Sequence, residues 1–257
     1  MKRIFIAVYG GACYLLFLLA FTYMIAFLGN LPVPKTIDSG AVGPSLPALF
    51  VDLGLIALFG VQHRVMARAA PKTWLGRLIP PAMGRSTYVL LASLILLVLA
   101  WQWRPLPGQI WEVRGAVLTA VVQGLFWMGW LIVLASSFLL NHFELFGLQQ
   151  VYFSLIAKLP APPRFETPWF YKLVRHPMML GLLIAFWAAP RMSLGHLLFT
   201  AGMTAYILIG IRFEERDLTR QLGEPYRAYQ HQTPMLIPLA RPHKGASPDA
   251  ALQTKES

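Results

Sequence analysis

Two apolar segments joined by a short turn decide the fold of this chain. The first segment reads MMLGLLIAFWAA (178–189), the turn reads PRMS (190–193), and the second segment reads LGHLLFTAGMTAYILIGI (194–211). A hydrocarbon layer of about 30 Å needs about 20 helical residues at about 1.5 Å each, so the first segment is too short to cross alone and the second is long enough. We therefore predict a tight helical hairpin in a membrane, with both open ends on one side.

Four further apolar runs precede the hairpin, at 4–28, 46–66, 86–103 and 115–140. The chain has 56% hydrophobic and only 13% charged residues, whereas a soluble domain carries about a quarter charged residues and a disordered chain is poor in apolar ones. The sequence thus predicts an all-α, polytopic membrane bundle of five to six transmembrane helices. We expect one membrane-embedded domain over 1–240 and a disordered tail over 241–257, where no apolar period remains.

Positive charge lies mainly in alternate loops between the apolar runs. The net charge is +11, and the loop after the second run is basic without an acidic residue: Arg64, Arg68, Lys72, Arg77 and Arg85. This pattern is typical of cytoplasmic loops facing anionic lipid, and it favours an inner-membrane protein with both termini in the cytoplasm over a nucleic-acid-binding protein. Cys13 is the single cysteine, so neither an intrachain disulfide nor a zinc site is expected.

The hairpin should bring two polar segments together. Arg175 and His176 precede Pro177, which suits the first turn of a helix, and a helix N-terminus suits an anionic group. Glu214 and Glu215 follow the second arm, on the same side of the membrane. An i,i+3 pair of Arg212 with Glu215 would leave Glu214 free to face a ligand. The sequence predicts a pocket with both signs of charge here; the alternative is a solvated helix of surface ion pairs, which are worth little.

A second polar stretch, NHFELFGLQQ (141–150), directly continues the fourth run. Polar groups at this depth are costly unless they are paired or line a cavity. His142 is therefore a candidate general base, while the alternative is a helix end that bonds to headgroups and to its own carbonyls. The stretch Gln62-His63-Arg64 ends the second run, where an anchoring role is the better interpretation.

Several motifs occur in the order of a known family. The sequence has Arg175-His176-Pro177, the hairpin, Glu214-Glu215 and then Gly223-x-x-Tyr226-x-x-Tyr229. This series resembles the isoprenylcysteine carboxyl methyltransferase superfamily of integral membrane enzymes. The stretches 62–68 and 141–147 resemble a bacterial branch of it that methylates methanethiol to dimethyl sulfide. The resemblance spans nearly the whole chain and implies S-adenosyl-L-methionine as cofactor, a small thiol as substrate and membrane lipid as surroundings.

The resemblance also implies site residues. The cofactor contacts are expected among Gln149, Gln150, Phe165, Glu166, Tyr171, Arg175, His176, Pro177, Met178, Met179 and Glu214. Arg175 would bind the cofactor's carboxylate, Glu214 its amine or a hydroxyl. The chemistry of the step, apart from the resemblance, calls for a base or a nearby cation: His142 is one candidate base, and Arg212 is a candidate cation that would lower the thiol's pKa.

Two departures from the family pattern bear on the substrate. Met179 stands where the family usually has a tyrosine, and Gly210 where the prenyl-protein enzymes have a substrate-contacting arginine. Both favour a small acceptor. Two alternatives stay open: methylation of a prenyl-thiol or lipid carboxylate, which needs a wide lateral opening to lipid, and a non-catalytic membrane subunit or transporter.

Overall fold

The computed structural model describes residues 2–67, 79–158 and 167–238. Its helices are α1 (Lys2–Leu28), α2 (Ser45–Ala67), α3 (Pro81–Gln102), α4 (Ala116–Leu139), α5 (His142–Leu145), α6 (Leu148–Leu155), α7 (Phe170–Leu173), α8 (Pro177–Trp187), α9 (Leu194–Leu222) and α10 (Glu224–Gln232), and its strands are β1 (Gln109–Glu112) and β2 (Arg191–Ser193). Several predictions fall outside these ranges: loop residues Arg68, Lys72 and Arg77, site residues Phe165 and Glu166, and the tail 241–257.

The five helices α1, α2, α3, α4 and α9 are each long and apolar enough to cross a membrane. This confirms the predicted all-α polytopic bundle. Helix α8 has 11 residues, or about 16 Å of helix, and is the short arm of the predicted hairpin. Helix α9 continues to Leu222, beyond the apolar run that ends at Ile211, because the polar residues that follow are mostly good helix formers. Gly223, with φ of 65°, ends it.

The bundle has two distinct ends. At the basic end, which carries Arg64, Arg85 and Arg175, α2 and α9 are joined by an Arg64–Asp217 ion pair of 3.7 Å. At the opposite end, the ribbon end, β1 and β2 pair antiparallel with Glu112 opposite Arg191. The segment 190–193, predicted as a simple turn, therefore contains a strand, since its partner β1 lies about 80 residues away and only the tertiary fold brings them together.

The ribbon of β1 and β2 satisfies backbone groups that follow the short helix α8. Beyond Trp187 the chain leaves the helix while still among the other helices, where unsatisfied backbone groups are costly. The carbonyl of Ala189 accepts a hydrogen bond from Trp111 Nε1 at 3.0 Å, and the carbonyl of Pro190 accepts one from the Val113 N–H at 2.8 Å. Strand β1 and the residue after it thus supply hydrogen bonds to the carbonyls that follow the short helix.

Helix α8 is held against α4 by a close crossing at two glycines. A Cβ atom added at Gly181 would lie 2.7 Å from the carbonyl oxygen of Gly129, and one added at Gly129 would lie 2.7 Å from that of Gly181. Small residues at helix crossings in membranes let two backbones approach closely. This crossing sets the position of α8, and with it the position of the residues at its N-terminus.

Candidate active site

The predicted approach of the two polar segments is present at the basic end. Four residues form what we call the His-Glu cluster: Arg175, His176, Glu214 and Glu215. Arg175 Nε donates to Glu215 Oε1 at 2.7 Å, and His176 Nε2 lies 3.1 Å from the same oxygen. Gln230 Nε2 donates to the other carboxylate oxygen at 3.2 Å. Glu215 is therefore paired with Arg175 and not with Arg212, so the predicted i,i+3 pair is wrong, because the tertiary partners are better placed.

Arg175 also fastens the C-terminal segment. Its Nη1 donates to the carbonyls of Gln230, at 3.0 Å, and Thr233, and its own N–H donates to the carbonyl of Pro234 at 2.9 Å. The side chain is only 11% exposed. These bonds use Nε and both hydrogens of Nη1, so the geometry of Arg175 fits a structural role better than the predicted contact with a cofactor carboxylate.

Glu214 is placed differently from Glu215. Its side chain is 51% exposed, and its nearest ion-pair contact is His176 Nδ1 at 3.7 Å, which is longer than a hydrogen bond. His176 itself is the N-cap of α8, ahead of Pro177 at the first helical position. Glu214 thus retains hydrogen-bond acceptor capacity beside a helix N-terminus, as a ligand-binding carboxylate would.

Tyr171 lies near this carboxylate and is buried. Burial raises the pKa of its phenol, and the charge of Glu214 raises the pKa further. Its backbone carbonyl accepts a hydrogen bond from the Tyr229 hydroxyl at 2.5 Å, which ties α7 to α10. Tyr171 is therefore protonated at neutral pH and able to donate a hydrogen bond.

The stretch 141–150 folds into a tight turn of its own. Asn141, at φ of 68°, caps α5, and its Nδ2 donates to Glu144 Oε2 at 3.0 Å and to Gln149 Oε1 at 2.5 Å. Gln150 Nε2 donates to the carbonyl of Glu144 at 3.1 Å, while its Oε1 is buried without a partner in the described part of the chain. Of the two glutamines, Gln150 is thus the one with an unused acceptor.

His142 is buried at the end of α4, and both its ring nitrogens are engaged. Nδ1 lies 2.8 Å from Ser137 Oγ, and Nε2 lies 2.7 Å from the Tyr14 hydroxyl. Ser137 gives its single hydrogen to the carbonyl of Leu134 at 2.7 Å, so Nδ1 must carry the proton and Nε2 must accept from Tyr14. Burial lowers the pKa of the imidazole, which is consistent with a neutral ring held in one tautomer.

A cavity of about 290 Å³, which we call the central cavity, lies among α1, α2, α3, α4, α8 and α9. Its lining is largely aliphatic and aromatic, and the polar side chains on it are His63, Ser93, Ser137, His142 and Tyr206. Met178 and Met179, which directly follow Pro177, also line it. The cavity therefore begins one turn of α8 away from the His-Glu cluster.

His63 and Tyr206 are cavity residues that the sequence did not assign to the site. His63 Nε2 lies 2.6 Å from the Tyr88 hydroxyl, and Nδ1 is buried with no partner among the described residues. A helical spacing does carry the signal: Phe59 and His63 are four residues apart on α2 and both face the cavity. Arg212, in contrast, is exposed on α9 and is not among the residues that line the cavity.

Comparison with known proteins gives the family of this chain. Residues 53–240 match the family described as NnrU protein. A methanethiol S-methyltransferase from Mycobacterium tuberculosis is 49% identical over 243 residues, which cover 95% of this chain and 100% of that relative. Methanethiol S-methyltransferase 1 from Bradyrhizobium diazoefficiens is 52% identical over 233 residues, which cover 91% of this chain and 82% of that relative.

The chain belongs to the methanethiol S-methyltransferase family. This membership confirms the resemblance that the ordered motifs predicted. Nurim from Pan troglodytes is a more distant relative, 30% identical over 182 residues that cover 67% of this chain and 69% of that protein. No solved structure matches the chain.

In this methanethiol S-methyltransferase family member, the predicted site residues divide into groups by geometry. His176, Pro177, Tyr171 and Glu214 meet at the basic end, and Met178, Met179 and His142 line the central cavity. Arg175 and Gln149 are held by internal hydrogen bonds. The polar group at the basic end and the group that lines the central cavity adjoin each other along α8.

Proposed function

We propose that this protein transfers the methyl group of S-adenosylmethionine to the sulfur of methanethiol and so produces dimethyl sulfide. We further propose that it works in the bacterial inner membrane, with both termini in the cytoplasm. The proposal rests on a small apolar cavity that adjoins the Glu214 carboxylate, which makes no hydrogen bond to a described residue. The names of the relatives support methanethiol as the acceptor, and the basic residues at the end of the bundle where α1 begins and α9 ends support the orientation.

The size of the central cavity supports a small acceptor. Its volume of about 290 Å³ is at the lower end of the roughly 300–1,000 Å³ of sites for drug-sized ligands. Methanethiol has two heavy atoms and is apolar, so the aliphatic and aromatic walls suit it. A prenylated or lipid acceptor needs more room, which makes it the weaker candidate.

The polar residues beside the cavity fit a cationic nucleoside cofactor. S-adenosylmethionine, when bound, supplies a methyl group on a positively charged sulfur. Glu214 would accept from its amine or a ribose hydroxyl, the Tyr171 phenol would donate or pack against it, and Gln150 would accept through its unused Oε1. His176 and Pro177 would contact it at the start of α8. Phe165 and Glu166 remain proposed contacts from the resemblance.

The chain's own residues then align the reactants. Met178 and Met179 follow Pro177 and line the cavity, so in this proposal the methyl group passes to the thiol beside them. Apolar walls hold the thiol in place and exclude water, and such alignment is a major source of rate enhancement. His142, Tyr14 and Ser137 fix one wall. Arg212 is exposed, so we assign it no step.

Two measurements test this proposal. Purified protein supplied with S-adenosylmethionine and methanethiol should release dimethyl sulfide into the headspace, and its absence would refute the function. Glu214→Gln should weaken cofactor binding, measured by calorimetry, by about 10- to 100-fold, since a hydrogen bond to a charged group is worth about 1.5–3 kcal/mol. Glu224→Gln is the matched control, because that carboxylate is 81% exposed on α10. Equal affinity of wild type and Glu214→Gln would remove Glu214 from the site.

A further inference from the structure

We infer that His63 takes the proton of the thiol during methyl transfer, an inference that rests on the proposed function. The thiolate is the reactive nucleophile, and an alkyl thiol such as that of cysteine has a pKa of about 8.5, so a base is needed at neutral pH. Two histidines line the central cavity, His63 on α2 and His142 on α5. The base must be one whose ring nitrogen has a free lone pair.

His142 does not meet this condition. Its Nδ1 carries the proton that Ser137 accepts, and its single lone pair, on Nε2, accepts from the Tyr14 hydroxyl at 2.7 Å. Phe138 stacks on the ring with centroids 4.4 Å apart and fixes its orientation. His142 would have to give up the Tyr14 bond before it could bind a thiol proton.

His63 does meet it. Its Nε2 lies 2.6 Å from the Tyr88 hydroxyl oxygen, and its Nδ1 is buried without a partner in the part of the chain that the structure describes. When Nε2–H donates to Tyr88, Nδ1 holds the lone pair. A buried ring nitrogen without a partner is costly, and a thiol S–H in the adjoining cavity would satisfy it.

The surroundings of His63 are built around its ring. The ring centroid of Phe59 lies 5.3 Å from that of His63, and the Tyr206 ring of α9 packs edge-on against it with centroids 6.1 Å apart. A Cβ atom at Gly60 would come within 3.1 Å of the Tyr206 ring, so glycine at this position lets Tyr206 approach α2. The ionisable groups that face His63 are Tyr88 and Tyr206. The guanidinium carbon of Arg85 lies 5.2 Å from the centroid of the Tyr88 ring.

The step conserves atoms and charge. The thiol S–H bond breaks and its proton binds Nδ1 of His63, while the sulfur forms a bond to the methyl carbon as the donor's own carbon–sulfur bond breaks. One positive charge is present before the step, on the donor sulfur, and one afterwards, on the imidazolium. Tyr88 accepts from Nε2–H and so stabilises that charge until the proton leaves to solvent at the basic end.

The experiment compares His63→Gln with His231→Gln, a control at an exposed position on α10. At pH 7, His63→Gln should lower kcat/KM for methanethiol by about 10²-fold or more, the usual contribution of a general base, while His231→Gln leaves it unchanged. Activity of His63→Gln should rise with pH as free thiolate accumulates, and it should recover with a more acidic thiol. A wild-type rate at pH 7 in His63→Gln would overturn the inference.

Further measurements separate this inference from folding and from the proposed function. Calorimetry should give His63→Gln the wild-type affinity for S-adenosylmethionine, and NMR of the cofactor-free wild type should show the His63 ring signal moving on addition of methanethiol, which does not occur if His63 is merely structural. If His63→Gln does not fold, Tyr88→Phe keeps the histidine, and an unchanged pH–rate profile in that variant overturns the inference. Loss of dimethyl sulfide formation in the wild type itself would instead refute the proposed function.

Discussion

The crossing of α4 and α8 makes a sharp prediction about the substitution Gly181→Ala. The new Cβ would lie 2.7 Å from the carbonyl oxygen of Gly129 and 3.0 Å from methyl carbons of Ile132 and Val133, against 3.4 Å for ordinary van der Waals contact. The helices must therefore separate by roughly 0.7 Å at this point, or α8 must rotate. Overpacking of this kind costs about 1–3 kcal/mol.

The matched control is Gly124→Ala on α4, the helix that α8 crosses, where an added Cβ would meet no atom of another described element within 4 Å. Alanine in a helix is favoured over glycine by about 1 kcal/mol, so Gly124→Ala should be neutral or stabilising. Gly181→Ala receives the same propensity gain and still should unfold at a lower temperature. Because both variants receive that gain, the overpacking cost of about 1–3 kcal/mol is the difference between them, and for a chain of this size it puts the Tm of Gly181→Ala roughly 2–12 °C below that of Gly124→Ala.

The assay is thermal unfolding of the two variants in one detergent, followed by the rate of dimethyl sulfide release at a temperature where both are folded. Because α8 carries His176 at its start and Met178 and Met179 in its first turn, Gly181→Ala should also lower the rate. Equal Tm values for Gly181→Ala and Gly124→Ala would refute the reasoning that this crossing positions α8.

Further predictions concern the basic end. Arg175→Ala should cost about 3 kcal/mol, because it leaves the largely buried Glu215 without its cation, and limited proteolysis should then release the C-terminal segment. Tyr229→Phe removes the hydrogen bond to the Tyr171 carbonyl and should lower the free energy of unfolding by about 1 kcal/mol, measured by denaturant titration. His142 has a lowered pKa when folded, so the unfolded chain binds more protons below about pH 6.5 and Tm should fall with acidification in that range; His142→Phe should show a smaller fall.

Much of the fold is predictable from local sequence because the bilayer accepts only apolar segments whose backbone hydrogen bonds are satisfied internally. Apolar runs of sufficient length predict the spanning helices, and the short run 178–189 predicts an arm that cannot cross alone. The continuation of α9 to Leu222 was missed because hydropathy marks where a helix leaves the membrane and not where it ends. The ribbon of β1 and β2 was missed because its two strands are far apart in the chain.

The candidate site likewise has one part that the sequence predicts and one part that it does not. The order of motifs predicts that His176 and Glu214 meet, since a hairpin must return the chain to its starting side. Whether Glu215 would choose Arg212 or Arg175 was not determined by spacing, because a tertiary partner at 2.7 Å competes with a local one. His63 looked like an anchor at a helix end, and only the packing of α2 against α3 and α9 makes it a cavity residue.

The sequence by itself determined that this chain lies in a membrane, which of its apolar runs are long enough to cross it, and which family it resembles. Those properties depend on run length, loop charge and motif order, and all three can be read along the chain without knowledge of which helices are in contact. The tertiary structure alone decided which polar groups are engaged and which are open: Arg175 uses Nε and Nη1, and His142 uses both ring nitrogens, in internal hydrogen bonds, whereas Glu214 and Nδ1 of His63 have no hydrogen bond to a described residue. Hydrogen-bond satisfaction depends on distances between helices, and no spacing within one helix encodes them.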